Sequence, residues 1–285
     1  MENKVILFAD STIDLTEELK ERYNIHTLPI YIILGDKTYA DGEITSEEIF
    51  ENYRNTKELP KTAAINMTDV YEALKPYVDD GYEVVYISLG SALSSSFRNS
   101  CLAAEELAGK VYPIDSCSLS TGAGLLAIEA AERIAKGMSA KQVAEEVSAL
   151  TQNNHASFVL DTLEFLHAGG RCSALAAFGA NLLGLKPSIK VFNEQNGAMG
   201  VGKKYRGKFE KIVLNYVDDT LAEYENIKTD RAFVTYSSMD DELVKKVYDY
   251  LESKGIFKEI FITRASGTIS SHCGPNTLGV LFMTQ

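Results

Sequence analysis

The densest run of hydroxyl groups lies between Ser88 and Ser100, where six of thirteen residues are serine, at 88, 91, 94, 95, 96 and 100. Ser94-Ser95-Ser96 falls between an apolar run, 83–89, and a helix-forming run, 97–107. A helix starting there presents unpaired backbone N–H groups and the positive end of its dipole. Serine hydroxyls add donors, and the combination suits a carboxylate or a phosphate. Serine is also the ordinary N-cap residue, so a cap with spare serines accounts for the same letters. A second loop, from Asp115 to Gly124, puts Gly122, Gly124 and Ala127 in a G-x-G-x-x-A spacing. Its glycines come late after the strand, and no acidic residue ends the next strand where a ribose would need it. Close packing of a helix start explains it better than a dinucleotide. Gly197, Gly202 and Lys203 match part of a P-loop, but Lys204 stands where a Mg²⁺-binding hydroxyl belongs, which excludes ATP there.

Other candidates are single residues. Gly169-Gly170-Arg171 reads as a helix C-cap and a charged turn. Arg206, taken singly, is a surface cation. His272 stands in His272-Cys273-Gly274-Pro275, expected as a loop before the last strand, without the spaced partners zinc requires. The four cysteines, at 101, 117, 172 and 273, make no C-x-x-C pair, and no metal ligand is expected. No G-x-S-x-G elbow occurs, which weakens a hydrolase reading.

The elements that must position these residues alternate in type. The run 5–9 reads as a buried strand ending at Asp10-Ser11-Thr12, with Asp14 and Glu17 in capping-box spacing before a helix. Strands at 27–34 and 37–39 flank a Gly35-Asp36 turn. Thr45 and Glu48 cap another helix, and a helix at 68–78 is expected to end early at Pro76. Strands at 83–89 and 110–114 then alternate with helices at 97–107 and 122–136, and Ser139 with Gln142 opens one more. This pattern predicts an α/β fold with an N-terminal parallel sheet. Ligands of such sheets lie beyond the carboxyl ends of the strands, where the loops 10–12, 88–96 and 115–121 fall. Past a polar stretch at 151–155 the pattern changes. Strands at 158–160, 231–237, 258–264 and 278–284, a hairpin around Asn196-Gly197, and helices at 163–167, 207–225 and 240–254 predict a second, smaller α+β domain. The expected domains are 1–153 and 154–285.

Composition narrows the function classes. The 285 residues include 28 Lys and Arg against 40 Asp and Glu, a net charge of −12, which disfavours nucleic acid as a partner. With 45% hydrophobic and 24% charged residues the chain reads as a globular protein. The apolar run at 5–9 is too short for a signal peptide, and no run approaches the roughly 18 residues of a membrane span. A cytoplasmic location is expected.

Six segments in order resemble the DegV family of bacterial fatty-acid-binding proteins. They are Phe8-Ala9-Asp10-Ser11-Thr12-Ile13-Asp14-Leu15, Lys61-Thr62-Ala63-Ala64, and Ser91-Ala92-Leu93-Ser94-Ser95-Ser96-Phe97. Leu163-Glu164-Phe165-Leu166-His167-Ala168-Gly169-Gly170-Arg171, Lys204-Tyr205-Arg206-Gly207 and His272-Cys273-Gly274-Pro275 complete the set. The resemblance implies two domains that bury one long-chain fatty acid between them. It implies a carboxylate held by Thr62, Ser94 and His272 with Ser95 beside them, and Arg206 near the same end, serving the ligand or a partner. It implies no cofactor and no chemistry by the chain itself. The implied partner is a kinase that phosphorylates the bound acid, with transient membrane contact as a further encounter. Departures from the family pattern include Ala63-Ala64 for a polar pair, Ser95 for a glycine and Asn276 for a glycine. Leu175, Phe178, Leu182, Leu183 and Leu185 are candidate wall for an acyl chain. Two other readings use the same residues: an acyl hydrolase or transferase with Ser94 and His272 as nucleophile and base, and a binder of a small phosphorylated metabolite.

Overall fold

The computed structural model describes residues 4–176 and 184–285. β1 (Val5–Asp10) stops at a short 3-10 turn, Ser11–Ile13. The cap of α1 (Glu17–Tyr23) is Thr16, whose hydroxyl accepts from the Leu19 amide. The expected cap Asp14 is instead buried, in a left-handed conformation with φ 50°. The expected strand 27–34 divides into β2 (Ile25–Leu28) and β3 (Tyr31–Leu34), because Pro29 between them has no N–H to continue a ladder. Gly35-Asp36 turns β3 into β4 (Lys37–Ala40). The predicted capping box of Thr45 and Glu48 opens α2 (Ser46–Thr56). β5 (Lys61–Ala63), too short to leave a sequence signal, pairs with β3 and sets Thr62 opposite Ile32.

α3 (Met67–Asp79) continues past Pro76, which sits in its last turn and accepts from the Asp80 amide at 3.1 Å. There a proline removes one hydrogen bond without ending the helix early. β6 (Glu83–Ser88), α4 (Ser96–Glu106), β7 (Val111–Asp115), α5 (Ser120–Ala135) and α6 (Ala140–Leu150) follow. The first sheet runs β2-β1-β6-β7 and is parallel throughout, as the alternation predicted. Alternate residues serve its two faces: Ile6, Phe8, Val84 and Tyr86 join one apolar cluster, and Leu7, Ala9, Val85 and Ile87 another.

The second half contains β8 (Asn154–His155), β9 (Ser157–Leu160), α7 (Glu164–Gly169), α8 (Ser173–Ala176), β10 (Lys186–Phe192), β11 (Ala198–Tyr205) and α9 (Phe209–Ala222). β12 (Ile227–Ser237), α10 (Asp241–Ser253), β13 (Glu259–Arg264), α11 (Gly267–Cys273) and β14 (Thr277–Thr284) complete it. Their sheet runs β11-β10-β9-β14-β12-β13, with β8 beside β14, and only the β12–β13 pairing is parallel. Asn276, which replaces the family's glycine, has φ 52°, a conformation asparagine tolerates.

α5 joins the halves. It packs on β1 and β6 on one side and on β8, β12 and β14 on the other. Every residue from Ser120 to Ala131 is buried, which is why its sequence is mostly apolar, with Glu129 paired to Arg133 and Lys228. A Cβ on Gly124 would lie 2.7 Å from the Ile13 carbonyl oxygen, so its glycine spacing serves close packing. One apolar cluster accordingly contains Leu7 and Ile87 from the first sheet together with Phe158, Ile189, Phe233 and Leu281 from the second.

Candidate functional site

The loop between β6 and α4 carries Ser94 and Ser95 at the carboxyl end of the parallel sheet. Its course is set by hydrogen bonds from both halves of the chain. The Leu89 amide donates to Asp10 Oδ2 at 2.7 Å and the Ser91 amide to Asp115 Oδ1 at 3.1 Å. The Ala92 amide donates to the Asn196 carbonyl at 3.1 Å, in the turn between β10 and β11. Gly90 leaves no room for a side chain, since a Cβ would lie 2.9 Å from that same Asn196 oxygen. Ser94 Oγ accepts from the Ser96 amide at 3.2 Å. Ser95, exposed at the N-cap of α4, makes no side-chain cap bond.

Facing this loop, Thr62 Oγ1 and His272 Nε2 are 2.7 Å apart. Contrary to the expected loop, His272 lies in the last turn of α11, a short helix whose N-cap Ser266 accepts from the Ile269 amide. Its Nδ1 is shut from solvent and has no partner among the described residues; a Cβ on Gly169 would lie 2.4 Å from it. Burial, followed by the nearby Arg171 cation, pushes the His272 pKa down to about 4, so the ring is neutral at pH 7. Arg171 donates to the Gly169 carbonyl at 2.7 Å and the Leu93 carbonyl at 3.4 Å, bridging the end of α7 to the serine loop.

Thr62, Ser94, Ser95, Arg171, Thr268 and His272 line one cavity of about 590 Å³, including space open to solvent. The buried Thr268 Oγ1 also has no partner among the described residues. A second cavity of about 510 Å³ adjoins it, and Leu119, Met199, Ile269 and His272 border both. The second cavity is walled by Phe158, Leu166, Cys273 and Leu281 among others. Its serine and threonine hydroxyls are already hydrogen-bonded to other groups of the protein. Ser120 donates to Asp14 at 2.5 Å, Ser237 to Ser270 at 3.0 Å and Thr277 to the Cys273 carbonyl at 3.0 Å. Thr235 lies 2.6 Å from Thr121 and 2.9 Å from Thr263. The lining therefore offers its apolar faces, with the polar side chains gathered at the end where Thr268 Oγ1 has no partner among the described residues.

Four sequence-predicted residues, Thr62, Ser94, Ser95 and His272, thus share a cavity. Arg206 does not line it; it is exposed just beyond β11. Arg171, which the sequence reads only as part of a charged turn, and Thr268, to which it gives no role, do line it. Arg171 was hidden because a helix C-cap accounts for a Gly-Gly-Arg string. Of the predicted acyl wall, Leu175 is buried in the main core and Leu185 packs against it, yet neither lines the two cavities. Phe178, Leu182 and Leu183 lie outside the described residues. No group of three or more His, Cys, Asp and Glu could hold a metal among the described residues. None of their helices is long and apolar enough to cross a membrane. Among the described residues Ser94 bonds to Ser96 while His272 bonds to Thr62 and has no acidic partner on Nδ1, so these two side chains are not paired as nucleophile and base.

The buried titratable groups pull stability in opposite directions with pH. His272 is depressed, so its contribution is lost as pH falls from about 6.5 toward 4, when the unfolded chain takes the proton. Burial pushes Asp10 up to about 6 and Asp14 to about 7, so their contribution is lost as pH rises through those values. Replacing His272 with glutamine removes one side of this balance. Relative to the parent, His272→Gln is expected to gain up to about 2 kcal/mol between pH 7 and pH 5, read as urea midpoints. An unchanged gap would show that His272 titrates normally.

A family model described as "Uncharacterised protein, DegV family" matches residues 4–285. The chain belongs to the DegV family. A DegV domain-containing protein of Clostridium acetobutylicum is 30% identical over 288 residues, covering 99% of each chain. Among solved structures, a DegV family protein from Thermus thermophilus superposes with a TM-score of 0.91 at 28% identity, over 99% of this chain and all of its own. That structure is described by its fatty acid binding, which is a binding role and not a reaction. The fatty acid kinase B3 protein of Streptococcus pneumoniae, loaded with linoleic acid, shares the fold, with a TM-score of 0.82 at 20% identity over 99% of this chain. Four of the six DegV-like segments thus contribute walls to the two cavities: the serine loop, the stretch at β5, the end of α7 and α11, whereas 8–15 and 204–207 line neither.

Proposed function

We propose that this chain binds one long-chain fatty acid and presents its carboxylate to a partner kinase, which transfers phosphate from ATP to form an acyl phosphate. The observation that carries the binding is the pair of adjoining cavities, with hydroxyl and guanidinium groups gathered at one end and an apolar lining at the other. A buried carboxylate must recover the hydrogen bonds it made to water. Ser94, by turning its hydroxyl from Ser96 to the ligand, the amides opening α4, and Thr62 supply them. With the ring proton on Nε2, His272 donates to Thr62 and frees the threonine hydroxyl to donate to the ligand. Arg171 adds a cation at the same end. The acyl chain gains roughly 0.8 kcal/mol for each CH₂ taken from water.

The exposed Ser95 and Arg171 keep the carboxylate end near the surface, where a kinase can reach it. Arg206, outside the cavity, is assigned to the partner surface. The chain acts in the cytoplasm as two domains meeting near residue 153, loads by transient contact with a membrane and needs no metal or redox cofactor. Native mass spectrometry of the purified protein tests the binding: one stoichiometric fatty acid is expected. An empty protein that takes up no added fatty acid would overturn it, and a phosphorylated metabolite in its place would favour the small-ligand reading. Presentation is tested by hydroxylamine trapping of acyl phosphate, expected only when kinase, ATP and the loaded chain are combined.

A further inference from the structure

The turn Asp10-Ser11-Thr12-Ile13-Asp14 supplies no donor to the cavities, yet it is tied to the elements that wall them. Asp14 Oδ1 accepts from the Ser266 amide at 2.9 Å, and Oδ2 accepts from the Ser120 hydroxyl at 2.5 Å. Ser266 caps α11 and Ser120 opens α5. Ser11 donates to Asp41 at 3.0 Å, and Asp41 accepts from the Thr268 amide at 3.3 Å. Two carboxylates therefore take amides at the start of α11, where a helix favours negative charge.

That helix has only seven residues, too few to hold an orientation without tertiary ties. Thr268, Ile269, His272 and Cys273 on it all face the cavities as lining residues. A Cβ on Gly267 would lie 2.5 Å from Ile32 Cδ1, so its amino end sits hard against β3. His272, near the other end of the same short helix, has its ring 2.7 Å from Thr62.

We propose that Asp14 is a positioning residue for fatty-acid binding: its carboxylate ties α11 to α5 and so sets His272 against Thr62. The ligand in this statement rests on the fatty-acid reading above, whereas the geometry does not. Asn at position 14 tolerates the left-handed backbone, can accept from Ser266 and can donate to Ser120, so it preserves the tie. Ala preserves neither bond.

The test compares the parent chain, Asp14→Asn and Asp14→Ala. Two quantities are read: palmitate affinity, and the imidazole ¹⁵N shifts of His272, assigned with His272→Gln. Asp14→Ala is expected to lose the shift pattern of a single hydrogen-bonded tautomer and to bind palmitate at least tenfold more weakly. Asp14→Asn is expected to keep the shifts and to bind within threefold of the parent. A folded Asp14→Ala with parental shifts and affinity overturns the proposal. Should Asp14→Ala fail to fold, Ser120→Ala cuts only the α5 half of the tie, and parental shifts and affinity in that variant overturn it equally. If the parent binds no palmitate, the fatty-acid reading falls, and the shifts alone still decide whether Asp14 positions His272.

Discussion

Each methylene added to a saturated fatty acid is expected to tighten binding about fourfold until the apolar cavity is full, after which the gain stops. The slope follows from roughly 0.8 kcal/mol per buried CH₂ and about 1.4 kcal/mol per tenfold in affinity. Going from twelve to sixteen carbons then gives about 3 kcal/mol, or roughly 200-fold. Full transfer is expected because Ser120, Thr235, Ser237 and Thr277 already have partners and present little unsatisfied polarity to the chain. Isothermal titration across even-numbered acids from ten to eighteen carbons would show the slope and its break. Leu119, Met199 and Ile269 border both cavities and form the neck between them. Ile269→Phe, which thickens that neck, should move the break to a shorter acid and leave the slope below it unchanged. Affinities independent of length across the series would mean the acyl chain does not enter this cavity.

What the sequence reveals of this molecule is what local physics determines. The capping boxes at Thr45 with Glu48 and at Ser139 with Gln142 are both present, because each is closed within four residues. The parallel strands β1, β6 and β7 are legible because they are apolar and alternate with helices, whereas the short edge strand β2 is not. β5 and α11 were not legible: three and seven residues are too few to establish a period, and both exist through partners far away in sequence. The site divides in the same way. Ser94 announces itself by lying in a serine-rich strand-to-helix loop. Thr62 and His272 meet across 210 positions, and nothing near either residue signals the other except resemblance to a family. Arg171 reads in sequence as no more than a charged turn because its partners are carbonyls of Gly169 and Leu93, one of which only the tertiary fold brings within reach. Asp14 has the spacing of a helix cap, the common place for an Asx residue, whereas its buried carboxyl group reaches Ser266, 252 positions away.

Thr62→Val should weaken binding of a long-chain acid by 10- to 150-fold, which corresponds to about 1.5–3 kcal/mol for a hydrogen bond to a charged group. Valine keeps the shape of threonine, so the change isolates the hydroxyl. Without it, His272 Nε2 has lost its 2.7 Å partner in the free and the loaded protein alike. That loss appears in stability, as about 1–3 kcal/mol for a buried unpaired group, and largely cancels from the affinity. The two measurements therefore separate the duties of one side chain. Urea unfolding reports the Thr62–His272 bond, and acid titration reports the Thr62–carboxylate bond. Thr62→Ser restores the hydroxyl and should recover most of both. The methyl ester of the same acid carries no charge to recognise, so the parent should prefer acid over ester and Thr62→Val should lose most of that preference. If Thr62→Val kept the parental preference, the donors would have to be those of the Ser94 loop and Arg171 alone, and the Thr62–His272 pair would serve only to join β5 to α11.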